Sequence, residues 1–223
     1  CKTMDERIFY MNMCIKERLS KRELERQIDS GYYERYMLSQ NPQSLALETA
    51  KKATGNIFLD NYVLDFLDVP EPMSEHDLQK SIIRNLKDFI LEIGKDFTFV
   101  GEEYRVQVGN HDFFIDLLFY HRGLSCLVAF ELKIGEFKPE YVGQINLYLE
   151  ALDREVKKEN ENPSVGIILC ASKDDEVVEF ALSRSLSPTM VAEYNLKLID
   201  KKLLQKKLKE YIELAKLTED ENA

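Results

Sequence analysis

The chain has 223 residues, 44% of them hydrophobic and 10% aromatic, with 40 Asp+Glu against 30 Lys+Arg for a formal charge of −10. That apolar content can bury the core of one or two domains and excludes a wholly disordered chain. No window approaches the roughly 20 uninterrupted apolar residues of a membrane helix, no secretory signal opens the chain, and the acidity counts against a nucleic-acid partner.

From Asp5 to Leu19, Ile8, Phe9, Met11, Ile15 and Leu19 recur at helical spacing and predict a helix. Ser20 precedes Glu23 by three, the capping-box arrangement, so a second helix starts there, carries Leu24 and Ile28 inward and stops at Gly31. The pair reads either as a helix-turn-helix offering Lys21, Arg22 and Arg26 to nucleic acid, or as an αα-hairpin whose basic residues are a solvated face. Glu17, Glu23 and Glu25 dilute the patch and favour the hairpin.

Residues 39–72 read as looser, with a boundary near Val69–Met73. Ser74 is expected to cap one long helix to Ile93, burying Leu78, Ile82, Leu86, Phe89, Ile90 and Ile93 and ending at Gly94. The period then switches to two. Phe97–Val100, Tyr104–Val108, Phe113–Tyr120 and Leu127–Lys133 predict strands, with turns at Gly109-Asn110 and Arg122-Gly123. Tyr141–Lys157 predicts a helix, Val165–Cys170 a buried strand, Asp174–Leu186 a helix, Val191–Leu198 a strand, and 201–217 an amphipathic helix.

Three regions follow: a helical start over 1–70, an α/β middle over 71–199 and a helical tail over 200–223. Net charge is +1 over 1–40, −2 over 41–70, −9 over 71–199 and 0 beyond, so the excess acid lies in the middle. The leucine stripe of the tail suggests a homodimer through the terminal helices. Cys1, Cys14, Cys126 and Cys170 lie far apart with no C-x-x-C, as expected of reduced, buried thiols in a cytoplasmic protein. A first residue of Cys1 rather than Met suggests a fragment with sequence missing upstream.

Charged residues interrupt the most apolar strands. Asp116 stands alone within Phe113–Phe119, and Glu131 and Lys133 are two apart in Leu127–Lys133, hence on one face. A turn near Arg122-Gly123 would bring Asp116 beside Glu131. Buried carboxylates are costly unless compensated. A hard cation such as Mg²⁺ would compensate, with Lys133 orienting or helping to deprotonate a water. The plainer alternative is a structural salt bridge of Lys133 with Glu131 or Asp116; three such residues together favour the metal site.

Asp116, fourteen residues, then Glu131-Leu132-Lys133 resembles the D…E-x-K core of the PD-(D/E)xK nuclease superfamily. Phe97–Gly101, Asp112–His121, Phe137–Tyr141 and Gly143–Tyr148 narrow the resemblance to the YhcG-type group (domain of unknown function 1016) over about 71–199. Leu19–Ile28 is similar to the end of that group's N-terminal helical domain. The resemblance implies a restriction-endonuclease-like core, a mixed central sheet flanked by helices behind a small helical region. It implies a nuclease using Mg²⁺ or Mn²⁺, with DNA as partner and RNA as the other open substrate. Asp116 and Glu131 would be metal ligands, the Leu132 carbonyl a third oxygen and Lys133 the catalytic lysine. Glu75 matches a first-helix acid that completes the metal shell, but is equally a first-turn acid favoured by the helix dipole. Gln144 would stand near the site, with Tyr148 four residues on and also suited to core packing. Ile115 replaces the nominal proline. His111, Asp112 and His121 flank turns and read as surface residues, and no phosphate-binding G-x-x-x-x-G-K-[ST] is present. The rival reading is a catalytically silent nucleic-acid- or protein-binding module.

Overall fold

The computed structural model describes residues 3–40, 57–185 and 187–221, with side chains to 213. In chain order the elements are α1 (Met4–Glu17), α2 (Lys21–Asp29), α3 (Tyr32–Ser39), β1 (Asn61–Val63), α4 (Glu75–Arg84), α5 (Leu86–Ile93), β2 (Phe97–Val108), β3 (His111–His121), β4 (Cys126–Leu132), α6 (Glu140–Glu155), β5 (Val165–Cys170), α7 (Asp175–Leu182), β6 (Thr189–Asn195) and α8 (Lys201–Glu221). They fall into two compact units, residues 42–196 and residues 1–41 with 197–223.

In the larger unit the strands form one sheet in the order β1-β6-β5-β4-β3-β2. β2, β3 and β4 run antiparallel; β4, β5, β6 and β1 pair in parallel. β4 and β5 are buried at every position, as strands covered on both faces must be. On one face Ile145, Leu149 and Leu152 of α6 join a core with Ala129, Ile168 and Val191. A separate ring cluster joins α5 to the sheet, with Phe89 6.0 Å from Phe119 and 5.8 Å from Phe130. This is the mixed sheet flanked by helices that the resemblance implied.

Several local expectations change. Phe97–Val108 is one strand, because a register shift between Phe99 and Gly101 absorbs the break in alternation. The expected long helix is two. The chain leaves helical geometry at Asn85 (φ −112°, ψ 30°), whose amide donates to the Ser81 carbonyl at 2.9 Å and competes with the ladder. β1 was not anticipated, since three residues carry no periodicity. Its position depends on partners distant in sequence: Leu64 N–H donates to Asn195 O at 2.8 Å, and Val63 N–H to the buried Glu92 at 2.8 Å. Within the segment read as loose, residues 41–56 lie outside the described residues. Cys126 and Cys170 are buried free thiols, pushed up to about 11 and about 12 by burial, whereas Cys14 is only half-buried and Cys1 lies outside the described residues.

The smaller unit inverts the expected polarity of α1. Ile8, Met11 and Ile15 are 48%, 64% and 76% exposed, while Glu6 and Tyr10 are buried. Periodicity shows that a helix face is apolar, but not what covers it. The interior is polar: the Tyr10 hydroxyl donates to Gln27 O at 3.1 Å and accepts from Tyr33 N–H at 3.1 Å. The capping box at Ser20 and Glu23 is formed as expected. Gly31 then turns at φ +65° into α3, a helix the sequence reading omitted. Leu204 and Leu208 of α8, two residues of the stripe read as a dimer seam, are buried within the single chain, whereas Ile212 is 41% exposed.

Lys201 donates to Glu6 at 3.0 Å and to Ile28 O at 3.0 Å, with Glu34 at 3.9 Å. Removing one partner of a buried pair strands the remaining charge. Lys201→Ala is therefore expected to lower stability in urea by about 2 kcal/mol, allowing for the partly exposed ammonium. Lys206→Ala, whose pairing with exposed Glu210 is superficial, should leave the midpoint in place.

Candidate active site

The site lies where the β3–β4 ladder ends. Leu117 faces Phe130 in the last paired rung, which puts Asp116 and Glu131 at the next step. There the Asp116 side chain replaces the backbone acceptor: Oδ2 accepts the Leu132 N–H at 2.7 Å. Gln79 of α4 donates to the Asp116 carbonyl at 2.8 Å and holds that strand end. β4 stops at Leu132, and Lys133 follows with its N–H donated to Leu169 O at 2.9 Å.

Glu131 and Lys133 project from the same face, as the two-residue spacing requires. Lys133 Nζ donates to Glu131 Oε1 at 2.8 Å and reaches Glu75 Oε2, in the first turn of α4, at 3.5 Å. Its ammonium also lies over the Tyr141 ring, 5.0 Å from the centroid. Glu131 is 2% exposed and Lys133 8%, whereas the Glu75 side chain is 45% exposed. The other Glu131 oxygen, Oε2, is buried and accepts no hydrogen bond.

This leaves the carboxylates strained electrostatically. Burial, then the charge of Asp116, pushes Glu131 up to about 7 against the opposing hydrogen bond from Lys133. Asp116 is likewise raised by burial, opposed by the Leu132 N–H. For Lys133 burial disfavours the charge, yet Glu131, Glu75 and Asp116 together carry it above the ordinary lysine range.

A hard divalent cation fits this donor set. It would satisfy the orphaned Glu131 oxygen and neutralise two carboxylates that otherwise resist ionisation. Among the described residues no group of three or more His, Cys, Asp or Glu forms a fuller cage. A cation held by Asp116 and Glu131 would therefore complete its shell with backbone oxygen or water.

The other expected residues fall out unevenly. Gln144 directs its amide nitrogen to the Tyr148 hydroxyl at 2.8 Å. Tyr148 is buried in the core, its hydroxyl raised mainly by that burial and also by the charges of Glu131 and Asp116. Leu132 is fully buried and gives its N–H to Asp116. Lys21, Arg22 and Arg26 belong to α2 of the smaller unit, where exposed Lys21 pairs with Glu25 at 3.6 Å. His121 is not a surface residue; it is buried and accepts the Leu124 N–H at 3.0 Å to close the β3–β4 turn. Asp112 is bound to Arg105 at 2.7 Å. Gln79 and Tyr141 escaped the sequence reading. The signal was helical spacing: Gln79 is four after Glu75, and Tyr141 three before Gln144.

Comparison with known proteins bears on this geometry. Residues 55–209 match the family described as the YhcG PDDEXK nuclease domain. "Putative nuclease YhcG" of Escherichia coli (strain K12) is 36% identical over 211 residues, which cover 93% of this chain and 56% of that protein. The chain thus spans little more than half the length of that relative. Among solved structures, a repair endonuclease from Pyrococcus abyssi aligns with a TM-score of 0.38 at 17% identity, over 56% of this chain and 48% of that one. An EndoMS–dsDNA complex aligns at 0.37 and 19% identity, over 54% and 43%. The family match over most of the chain and the identity to the Escherichia coli protein together establish that the chain belongs to the YhcG PDDEXK nuclease family.

Proposed function

We propose that this chain hydrolyses phosphodiester bonds in DNA as a divalent-metal-dependent endonuclease, with Mg²⁺ or Mn²⁺ held by Asp116, Glu131 and the Leu132 carbonyl. The observation that carries the reading is buried Glu131 beside half-buried Asp116 and Lys133, with one Glu131 oxygen left without a donor. A buried carboxylate oxygen without a donor is costly, and a cation would satisfy it. The bound cation would polarise the scissile phosphate and ease ionisation of a coordinated water. Lys133, held by Glu131 as an ammonium, orients that water and neutralises charge developing on the phosphate. Glu75 stands on the open side of Lys133, where it can extend the cation shell. Gln144 and Tyr148 form a hydrogen-bonded rail beside the carboxylates.

With its excess acid in the sheet unit, the chain needs local cations for phosphate contact, and Lys21, Arg22 and Arg26 are the proposed contributors. Binding should weaken steeply with salt. The buried free thiols suit a cytoplasmic setting. Among the described residues no helix is long and apolar enough to cross a membrane.

The test compares the full chain with Lys133→Ala on plasmid, linear DNA and RNA, with Mg²⁺, Mn²⁺ or chelator. Wild-type DNA cleavage should require metal, and the variant should be slower by about 10²–10⁴-fold. Equal rates for the two proteins would sink the mechanism, and cleavage confined to RNA would replace the substrate.

A further inference from the structure

We propose that Tyr141 is a positioning residue for Lys133, its ring holding the ammonium against Glu131 while leaving an N–H free for the reacting phosphate or water. The inference rests on the nuclease reading of Lys133 and deepens it.

A lysine on a four-carbon stem has no intrinsic reason to stay in one place. Here Glu131 takes one N–H at 2.8 Å, but the second carboxylate, Glu75, is 3.5 Å away and about half exposed, so it holds the ammonium loosely. Among the described residues, the other restraint on the ammonium is the Tyr141 ring, 5.0 Å from Nζ. An aromatic face attracts a cation through its quadrupole and needs no directional donor. A third carboxylate in that place would fix the lysine more tightly, but would occupy the N–H that the chemistry needs and add charge to a site that already resists ionisation. The ring restrains without consuming the donor, and it displaces water from one side of the ammonium.

Tyr141 is itself braced. It lies in the first turn of α6, its N–H donating to Lys138 O at 3.1 Å across Pro139. Its ring packs edge-on to buried Phe137 at 6.3 Å, and the Phe137 N–H donates to Ser172 O at 2.8 Å, just past the end of β5. Placement therefore runs from the sheet through Phe137 and Tyr141 to Lys133. The phenolic hydroxyl has no part in this account, which separates it from a hydrogen-bonding role.

The test uses the full chain and its Tyr141→Phe, Tyr141→Trp and Tyr141→Leu variants. In metal-free, DNA-free protein labelled with ¹³C-lysine, the Lys133 ε-methylene resonance, assigned by its loss in Lys133→Ala, should lie upfield of the other lysines through the ring current. It should stay upfield in the Phe and Trp variants and return to the ordinary position in the Leu variant. With Mg²⁺ and DNA, Phe should retain the wild-type kcat, while Leu should lose on the order of tenfold with KM and thermal midpoint unchanged. An unshifted wild-type resonance overturns the proposal. So does a Leu variant with wild-type kcat, or one whose loss appears in KM or stability instead. If no form cleaves DNA or RNA, the nuclease reading fails, and the resonance still decides whether the ring holds Lys133.

Discussion

Glu131→Gln is expected to raise the stability of the metal-free protein at pH 8 while cutting metal-dependent DNA cleavage by on the order of 10³-fold. The two effects share one cause. Burial and the neighbouring Asp116 move the Glu131 carboxyl in the folded state from 4.5 to about 7. Below about pH 4.5 both folded and unfolded chains keep the proton, and this group leaves stability unaffected. Between pH 4.5 and 7 the unfolded chain ionises first, so stability falls as pH rises, and above 7 the destabilisation is complete. Asp116, raised in the same direction, adds to the slope. An amide cannot ionise, so Gln removes the destabilisation. The rise to about 7 already includes the opposing pull of Lys133, and because an amide fits the site less well than the protonated carboxyl, roughly 1 kcal/mol of gain is expected at pH 8. Denaturation midpoints at pH 5 and pH 8, with and without Mg²⁺, check this. Wild type should gain more from Mg²⁺ at pH 8 than the variant does. A variant that is less stable than wild type at pH 8 without metal would refute the account.

Gly166→Val is the second large effect, and it acts at a distance. Gly166 lies in β5, and a Cβ there would sit 2.6 Å from Ile145 Cγ1 and 3.1 Å from Leu149 Cδ1. Neither neighbour can give way cheaply, because both belong to the α6 face of the core. Overpacking of this kind costs about 3 kcal/mol for a branched side chain, and the helix shifts outward. α6 carries Tyr141, Gln144 and Tyr148, so cleavage should fall further than the lost stability explains. Ile145→Ala in the same chain should recover part of both losses, a coupling readable in a double-mutant cycle. Wild-type stability and activity in Gly166→Val would show that the close packing is not maintained in solution.

The elements bearing the carboxylates were legible because they break a rule. Asp116, Glu131 and Lys133 interrupt runs that otherwise read as core, and period-two alternation already assigned Glu131 and Lys133 to one face. The family resemblance, the mixed sheet and the α6 spacing of Gln144 and Tyr148 were equally local in origin. Asn85 was harder to read, since a single polar residue within a helical pattern does not announce that it will break the helix.

Sequence by itself determined which residues alternate, which carry charge inside apolar runs, and which family pattern they match, because each of these is set by neighbours a few positions away. Only the tertiary structure decided that β1 joins β6, that Ile8, Met11 and Ile15 of α1 lie exposed, and that Tyr141, Glu75 and Gln79 meet at the neighbouring ends of β3 and β4. The physical reason is range. Gln79 meets Asp116 across 37 positions and Lys133 meets Glu75 across 58, and contacts so separated arise only when helices and strands pack. The −10 charge likewise changed meaning with the fold. It first argued against a nucleic-acid partner, but part of it lies in buried Glu131 and half-buried Asp116, the two carboxylates proposed to hold a cation.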